Sequence, residues 1–360
     1  MLYTYIRNLS DMNTFKPLTS SQQIPFINVG KAVEPLIDKF GRRFEYLRLS
    51  ITDVCNFSCQ YCLPNGYQCD TPRDFMSTGE LNMIVQAFAK MGTKKVRITG
   101  GEPSLRNDLT KIIEQTAHVP GIEQVAITTN GYKLERDLQN WVDAGLTSLN
   151  VSIDSLDPRQ FEQITGDSRL ESILKGIDMA VELGLQVKVN AVLLKEFSDT
   201  QLSLFFDYVK TNNLTLRFIE LMQTGDNEEF FNAQHVSGQS IEDKLVDLGW
   251  TKKQKAEWAG PAKVYRHDGY KGRIGLIMPY SKDFCADCNR LRISALGKLH
   301  LCLFAEKGIA VRDLVAKSIA QNDPSVLISQ IQNLLGQKEA THYLDAGYTG
   351  ATQHLAMLGG

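Results

Sequence analysis

The stretch EYLRLSITDVCNFSCQYC, residues 45–62, decides the reading of the fold. Its first half is a short strand-like run. Its second half crowds Cys55, Cys59 and Cys62 into a C-x3-C-x2-C pattern, so the thiols lie in the loop after a strand. Working outward, the run is the first of six. KKVRITGG, EQVAITTNG, SLNVSIDSL, QVKVNAVLL and LTLRFIELM follow it. Between them lie stretches with helical spacing, such as STGELNMIVQAFAKMG, LRNDLTKIIEQTAHV, KLERDLQNWVDAG and LESILKGIDMAVELG, several ending in the glycine that commonly stops a helix. Alternation of this kind predicts a parallel sheet with right-handed crossover helices. Eight such repeats would close a barrel; six predict an incomplete (βα)6 TIM-type barrel with an open side.

The rhythm fades after residue 225. From 226 the chain carries more glycine and short strand-like pieces (AKVYRH, RIGLIMPY, LRISALGKLHLCLF), and 311–345 has helical spacing. The expected organisation is a loose leader over 1–40 and the partial barrel over 41–225. A smaller C-terminal region over 226–345 covers the open side, and a flexible tail over 346–360 ends in Gly-Gly.

Composition excludes several classes. A chain of 360 residues with 43% hydrophobic content can bury a sizeable core, so it is not a disordered segment. Charge is balanced, 39 basic residues against 41 acidic, which gives no field for nucleic acid. No apolar run reaches the length of a membrane span, and the first thirty residues lack a secretory pattern. Seven cysteines do not make a disulfide scaffold, and an odd count points to reduced thiols and the cytoplasm.

Six of the seven cysteines fall in two triplets. The second is Cys285, Cys288 and Cys302, spaced C-x2-C-x13-C; Cys69 belongs to neither and is expected to be a bystander. Thiolates bind zinc or iron–sulfur clusters. A structural zinc site is closed by four protein ligands, and neither triplet supplies four. A cubane held by three cysteines keeps one iron open, which is what a catalytic site needs. Two triplets therefore suggest two [4Fe–4S] clusters. Active sites of such barrels lie at the C-terminal ends of the strands. GGEP at 100–103, TTNG at 128–131, Ser152 and Asp154, Lys188, and Arg217, Glu220 and Met222 all fall at or in those strands. Arg48 and Arg97 lie inside strands, where an unpaired charge is costly. With Lys188, Arg290 and Arg292 they make five cations, suited by charge to a triphosphate.

CNFSCQYC followed by RITGGEP resembles the radical S-adenosylmethionine superfamily. DFCADCNRLRISALGKLHLCLF and the terminal MLGG narrow the resemblance to the GTP 3′,8-cyclase family, from about residue 40 to the C-terminus. The resemblance implies a lyase of molybdenum cofactor biosynthesis. S-adenosylmethionine is cleaved reductively, its 5′-deoxyadenosyl radical takes the ribose C3′ hydrogen of GTP, and C3′ joins C8 to give (8S)-3′,8-cyclo-7,8-dihydroguanosine 5′-triphosphate. It further implies that Cys55, Cys59 and Cys62 hold the cluster that binds S-adenosylmethionine, with Tyr61, Gly101, Ser152 and Met222 as contacts. Cys285, Cys288 and Cys302 hold the cluster that meets guanine. Arg48, Arg97, Thr128, Lys188, Arg290, Leu291 and Arg292 hold GTP, and Gly359 and Gly360 assist the cyclisation with Arg290 and Arg292. An electron donor and the next enzyme, cyclic pyranopterin monophosphate synthase, are the implied partners, and a homodimer is left open.

Taken singly, each feature has a plainer reading. Cys285 and Cys288 alone would suit a zinc knuckle. Arg48 and Arg97 alone would suit salt bridges to Asp53 and Glu102, and Met222 would be core. Two other functions remain at this stage. One is a radical S-adenosylmethionine enzyme with an auxiliary cluster, of the peptide-maturing type. The other is a non-enzymatic zinc-binding scaffold.

Overall fold

Each parallel strand carries two kinds of side chain, and that alternation sets the architecture. In β1 (Tyr46–Ser50) all five residues are buried. Leu47 and Leu49 point to one face and Tyr46, Arg48 and Ser50 to the other, as the two-residue period of a strand requires. The apolar face packs beneath helices; the polar face lines the inside of a curved sheet. The computed structural model describes residues 34–69, 73–195, 199–254, 260–282, 284–305, 307–350, 352 and 355–358.

The strands are β1, β2 (Lys95–Thr99), β3 (Gln124–Thr129), β4 (Ser148–Ser152), β5 (Gln186–Leu193), β6 (Thr215–Glu220), β7 (Thr251–Lys252), β8 (Lys263–Arg266), β9 (Arg273–Ile277), β10 (Arg290–Ile293), β11 (Lys298–His300) and β12 (Ile309–Ala310). They form one twelve-stranded sheet in the order β12-β11-β10-β1-β2-β3-β4-β5-β6-β9-β8-β7. The six-strand core is therefore present. The segment after 225 adds a parallel strand to each of its edges, β10 beside β1 and β9 beside β6. Beyond those two strands the neighbours are antiparallel. Among the described residues the outer strands β12 and β7 do not pair, so the barrel is incomplete.

Helices α1 (Thr78–Lys90), α2 (Leu109–Ala117), α3 (Leu134–Asp143), α4 (Pro158–Thr165), α5 (Leu170–Glu182) and α6 (Asp199–Thr211) connect the core strands. α1 starts at a capping box in which the Ser77 and Glu80 side chains each accept the other's backbone N–H. α3 buries Leu134, Leu138 and Trp141, one apolar stripe at helical spacing. α4 is absent from the periodicity reading. It is set instead by its ends: Asp157 caps it, Pro158 opens it, and Gly166 closes it in the left-handed conformation. Helices α7 (Glu228–Gln234), α8 (Gln239–Asp247), α9 (Arg312–Gln321) and α10 (Ser325–Leu335) belong to the C-terminal segment.

Both ends of the described chain are packed. Residues 34–40, which the sequence assigns to a leader, include buried Leu36 and Asp38, and the Leu36 N–H donates to the Met91 carbonyl at 3.2 Å. In the tail, Leu355 and Leu358 join Leu303, Phe304 and Leu344 in a buried apolar cluster. Burial of a leucine side chain contributes about 1.5–3 kcal/mol, which offsets the entropy cost of ordering so short a segment.

The double glycine after β2 has a steric cause. A Cβ at Gly100 would collide with the Thr52 carbonyl oxygen, and one at Gly101 with the Val54 carbonyl oxygen. The turn thus lies directly against the residues leading into Cys55. Gly101→Ala should force that contact open and cost about 1–3 kcal/mol. Chemical denaturation of the metal-free chain reads this as a lowered midpoint; a wild-type midpoint would mean that residues 52–54 yield without cost.

Candidate active site

The register of the parallel strands brings the cations together. Arg48 on β1 lies opposite Arg97 on β2 and Arg292 on β10. One residue pair along, Tyr46 lies opposite Lys95 and Arg290. Further round, Thr128, Asn150 and Lys188 form one row, and Ser152, Asn190 and Arg217 another. Strand alternation aims all of these to the concave face. Leu291 lies between Arg290 and Arg292 and faces the opposite way, into the core, at 1% exposure.

This floor is polar, buried and short of partners. Among the described residues, the Nε atoms of Arg97, Arg217, Arg290 and Arg292, the Tyr46 hydroxyl, Thr128 Oγ1 and Asn190 Oδ1 are buried without a hydrogen-bond partner. The nearby carboxylates are engaged elsewhere. Asp53 accepts the Tyr67 hydroxyl at 2.8 Å and pairs with Arg73 at 3.5 Å. Glu102 accepts from the Ser104 and Asn130 N–H groups and the Thr129 hydroxyl, at 2.6–2.9 Å. Glu220 is 3.0 Å from His235 Nε2. The salt-bridge reading of Arg48 and Arg97 with Asp53 and Glu102 therefore does not hold; those carboxylates brace loops.

The electrostatics record the crowding. Burial pulls the Lys188 ammonium down to about 6, helped by Arg217, Lys95 and Arg97. Burial and then Arg97 lower Arg217 to about 10. For Tyr46, burial alone would raise the phenol, but Arg97, Arg48, Lys95 and Arg290 outweigh it and bring it down. Buried like charge of this density is costly, and an anion beside it relieves the cost.

The first cysteine triplet stands at the C-terminal end of β1. Its three thiols are half-buried and feel one another: burial pushes Cys62 up to about 12, with Cys55 the next cause. Donors are already in place for thiolates. The Phe57 and Asn56 N–H groups bond Cys55, and the Ala356 and Leu355 N–H groups of the tail bond Cys62. The Tyr61 hydroxyl donates to Asp154 at 2.7 Å, and Asp154 also accepts the Val192 N–H at 2.8 Å. Gly101 faces this loop, and Ser152 ends β4 beside it.

The second triplet borders the cationic floor. Burial raises the Cys288 thiol, but Arg290, Lys338 and Arg292 outweigh it and leave it at about 7. Cys285 is raised by burial, against donors from the Thr341 side chain and the His342 N–H, and it senses Cys302 and Cys288. Among the described residues no three His, Cys, Asp or Glu side chains converge on one mononuclear position. Thiolates at separate corners of a cubane stand further apart than ligands of one ion. The two triplets share a boundary: Cys62, Cys302 and Met222 all pack on the apolar cluster that seats Leu355 and Leu358.

Strand register thus brings Arg48, Arg97, Thr128, Ser152, Lys188, Arg290 and Arg292 onto one face of the sheet. Cys62, Cys302 and Met222 meet at the apolar cluster of the tail, Tyr61 is tied to Asp154, and Gly101 lies against the residues that lead into Cys55. Gly359 and Gly360 lie outside the described residues. Sequence reasoning missed Tyr46 and Lys95 and did not place Arg217 among the site residues. For Tyr46 and Lys95 the signal is two-residue spacing from Arg48 and Arg97; Arg217, flanked at that spacing by Thr215 and Ile219, carries no such signal.

Comparison with known proteins agrees with this geometry. Residues 49–209 match the model of the radical SAM superfamily, and residues 214–344 match that of Molybdenum Cofactor Synthesis C. The chain is 53% identical over 326 residues to a GTP 3′,8-cyclase of Yersinia pestis, covering 90% of this chain and 99% of that one. It is 55% identical over 326 residues to a GTP 3′,8-cyclase of Vibrio cholerae, covering 90% and 97%. Among solved structures, Streptococcus suis SuiB bound to S-adenosylmethionine superposes with a TM-score of 0.55 at 14% identity, over 78% of this chain and 64% of that one, a likeness of fold alone. A cysteine triplet in the loop after β1, a second triplet beside a row of arginines, and relatives aligned over nine-tenths of the chain lead to one conclusion: the chain belongs to the GTP 3′,8-cyclase family of radical S-adenosylmethionine enzymes.

Proposed function

We propose that this chain joins C3′ of GTP to C8 with S-adenosylmethionine as radical source, and so opens molybdenum cofactor synthesis. The observation that carries the reading is the row of buried arginines running into the second cysteine triplet, Cys288–Arg290–Arg292, with the Nε atoms of Arg97, Arg290 and Arg292 unpartnered among the described residues. In this reading Cys55, Cys59 and Cys62 hold one [4Fe–4S] cluster and Cys285, Cys288 and Cys302 another. When bound, the clusters supply the electron that cleaves S-adenosylmethionine and an open iron for the guanine base.

The chain's own residues bind and orient. Tyr61, the Gly101 backbone, Ser152 and Met222 take S-adenosylmethionine. Arg48, Arg97, Lys188, Arg290 and Arg292 clamp the triphosphate through charge-assisted bonds, and Thr128 adds a hydroxyl. Arg217, Lys95 and Tyr46 join them from the same face. Leu291 contributes through its backbone, since its side chain is in the core. Gly359 and Gly360, next in sequence after a segment seated on the cluster that both triplets touch, assist the cyclisation in this reading. An external one-electron donor and cyclic pyranopterin monophosphate synthase as recipient complete the reading, with the cytoplasm as its place of work. Among the described residues no helix is long and apolar enough to cross a membrane.

The deciding experiment incubates the anaerobically reconstituted chain with GTP, S-adenosylmethionine and dithionite. Cyclised nucleotide should form alongside 5′-deoxyadenosine; S-adenosylmethionine cleavage with GTP recovered unchanged would overturn the reading. Iron analysis of Cys285→Ala should fall from about eight to about four per chain. Zinc in place of iron in the wild type would restore the scaffold alternative.

Arg290→Ala and Arg292→Ala each remove a charge-assisted bond of about 1.5–3 kcal/mol, so GTP should bind roughly ten- to hundred-fold more weakly. Binding of S-adenosylmethionine should hold, and equal losses for both ligands would make the arginines structural.

Lys188 gives the site a pH dependence of known sign. With its ammonium pulled down to about 6, the side chain is mostly neutral at pH 8 in the free protein. A triphosphate beside it favours the charged form and raises it again. Binding at pH 8 should therefore take up about one proton, and affinity should fall as pH rises above 6. Calorimetry in buffers of different ionisation enthalpy measures the uptake, and Lys188→Met should abolish it. Proton-neutral binding by the wild type would show that Lys188 does not meet the phosphates.

A further inference from the structure

We propose that Arg42, seated on Asp38, is a positioning residue for the second cysteine set and fixes the mutual spacing of its ligand-bearing segments. The inference rests on the reading that Cys285, Cys288 and Cys302 hold a cluster. Neither Arg42 nor Asp38 belongs to a motif that marks the site.

Arg42 is 8% exposed and spends its guanidinium on three separate pieces of chain. Nε donates to Asp38 Oδ2 at 2.6 Å. Nη1 is shared between the carbonyls of Cys285, at 3.1 Å, and Ala340, at 2.8 Å, and Nη2 donates to the Glu339 carbonyl at 2.7 Å. The Asp38 carboxylate is fully buried. Its other oxygen accepts the N–H groups of Phe40 and Arg42, at 2.9 and 3.0 Å. The anion is therefore built into a tight turn and cannot swing away. A planar fork of donors held by a fixed carboxylate sets direction as well as distance.

What the fork holds is the seat of the cysteines. The 338–342 segment reaches them at two points. The Thr341 side chain and the His342 N–H donate to the Cys285 sulfur. The Lys338 ammonium donates to the Leu301 carbonyl, one residue before Cys302. Lys338 also lies 5.4 Å from the ring of Phe44, two residues beyond Arg42. Cys285 is thus gripped at its carbonyl by Arg42 and at its sulfur by a segment that Arg42 also grips. Cys302 is tied to that same segment through Lys338. Without Arg42 the 285 loop and the 338–342 segment lose their common anchor.

Partners of this kind, one step from the ligands, typically change metal retention by about ten- to hundred-fold when removed. The test uses the anaerobically reconstituted full chain and reads chelator-driven iron release and the electron paramagnetic resonance of the reduced protein. The wild type is measured first. About four irons per chain instead of about eight would sink the second-cluster reading and this inference with it. With eight present, Arg42→Met should release half its iron about ten-fold faster than wild type or more. The second cluster's resonance should shift. The other half of the iron should keep its release rate and its spectral response to S-adenosylmethionine. Arg42→Lys, which keeps the charge but not the fork, should fall between the two. Wild-type release with an unchanged spectrum overturns the proposal. Equal acceleration of both halves overturns it too, because it marks general packing. If Arg42→Met does not accumulate folded, Asp38→Asn carries the same test, since it leaves the three carbonyl bonds and removes the counter-charge. Its second-cluster iron should also leave faster, and a wild-type rate there overturns the proposal.

Discussion

Like charge concentrated on the inside of the sheet is the constraint on which the rest of this structure depends. Parallel pairing sets Arg292, Arg48 and Arg97 side by side, with Lys188 and Arg217 further along the same face. Two unit charges ~5 Å apart still repel by about 3 kcal/mol at an effective dielectric of ~20. The fold tolerates this because the opposite face of the same strands is apolar and fully buried. Leu47, Leu49, Val96, Ile98, Ile127 and Leu149 show no measurable exposure. Core burial thus holds together a face that electrostatics would spread. A bound polyanion relieves the repulsion, so ligand binding and fold stability are linked through one set of side chains.

The carboxylates show how the face is kept cationic. Asp53, Glu102, Asp154 and Glu220 all lie near it, and each has its oxygens committed to a loop amide, a phenol, an arginine outside the row or a histidine. Glu102 is the clearest case. Fully buried, it joins the turn after β2 to the turn after β3 through three accepted bonds. The acidic residue of GGEP therefore braces the walls of the site and does not serve as a counter-ion to the floor.

Much of this was legible in sequence because it is local. The strand–helix alternation reports itself through periodicity, and the cysteine triplets through spacing. The edges of the sheet were not legible. β9 and β10 run parallel to β6 and β1, and nothing in RIGLI or RLRI distinguishes a strand that extends a barrel from one in a separate cover. Parallel pairing leaves no turn signal, because its partners are far apart in the chain. Arg42 was illegible for the same reason: its significance lies in carbonyls 243–298 residues away. Lys95 was missed although it stands two positions before Arg97, because a lysine at the start of a strand is ordinarily solvated. The tail, expected to be flexible, instead buries Leu355 and Leu358 in an apolar cluster.

The placement of β10 also constrains how the molecule comes into being. About 240 residues separate Tyr46 from its register partner Arg290. A chain emerging from the ribosome completes the six-strand core long before that partner exists, so β1 and β6 both spend synthesis as bare edges. Arg48 already has its neighbour Arg97 during that interval, while Arg292 and the second cysteine set have yet to be made. Assembly is thus divided in time: the first thiol loop can form on a nascent half-barrel, whereas the second takes shape only once the C-terminal strands have been made. An exposed strand edge of that duration invites pairing with other chains. Cells that make this protein faster than its C-terminal strands can arrive should meet aggregation of the core before any shortage of iron.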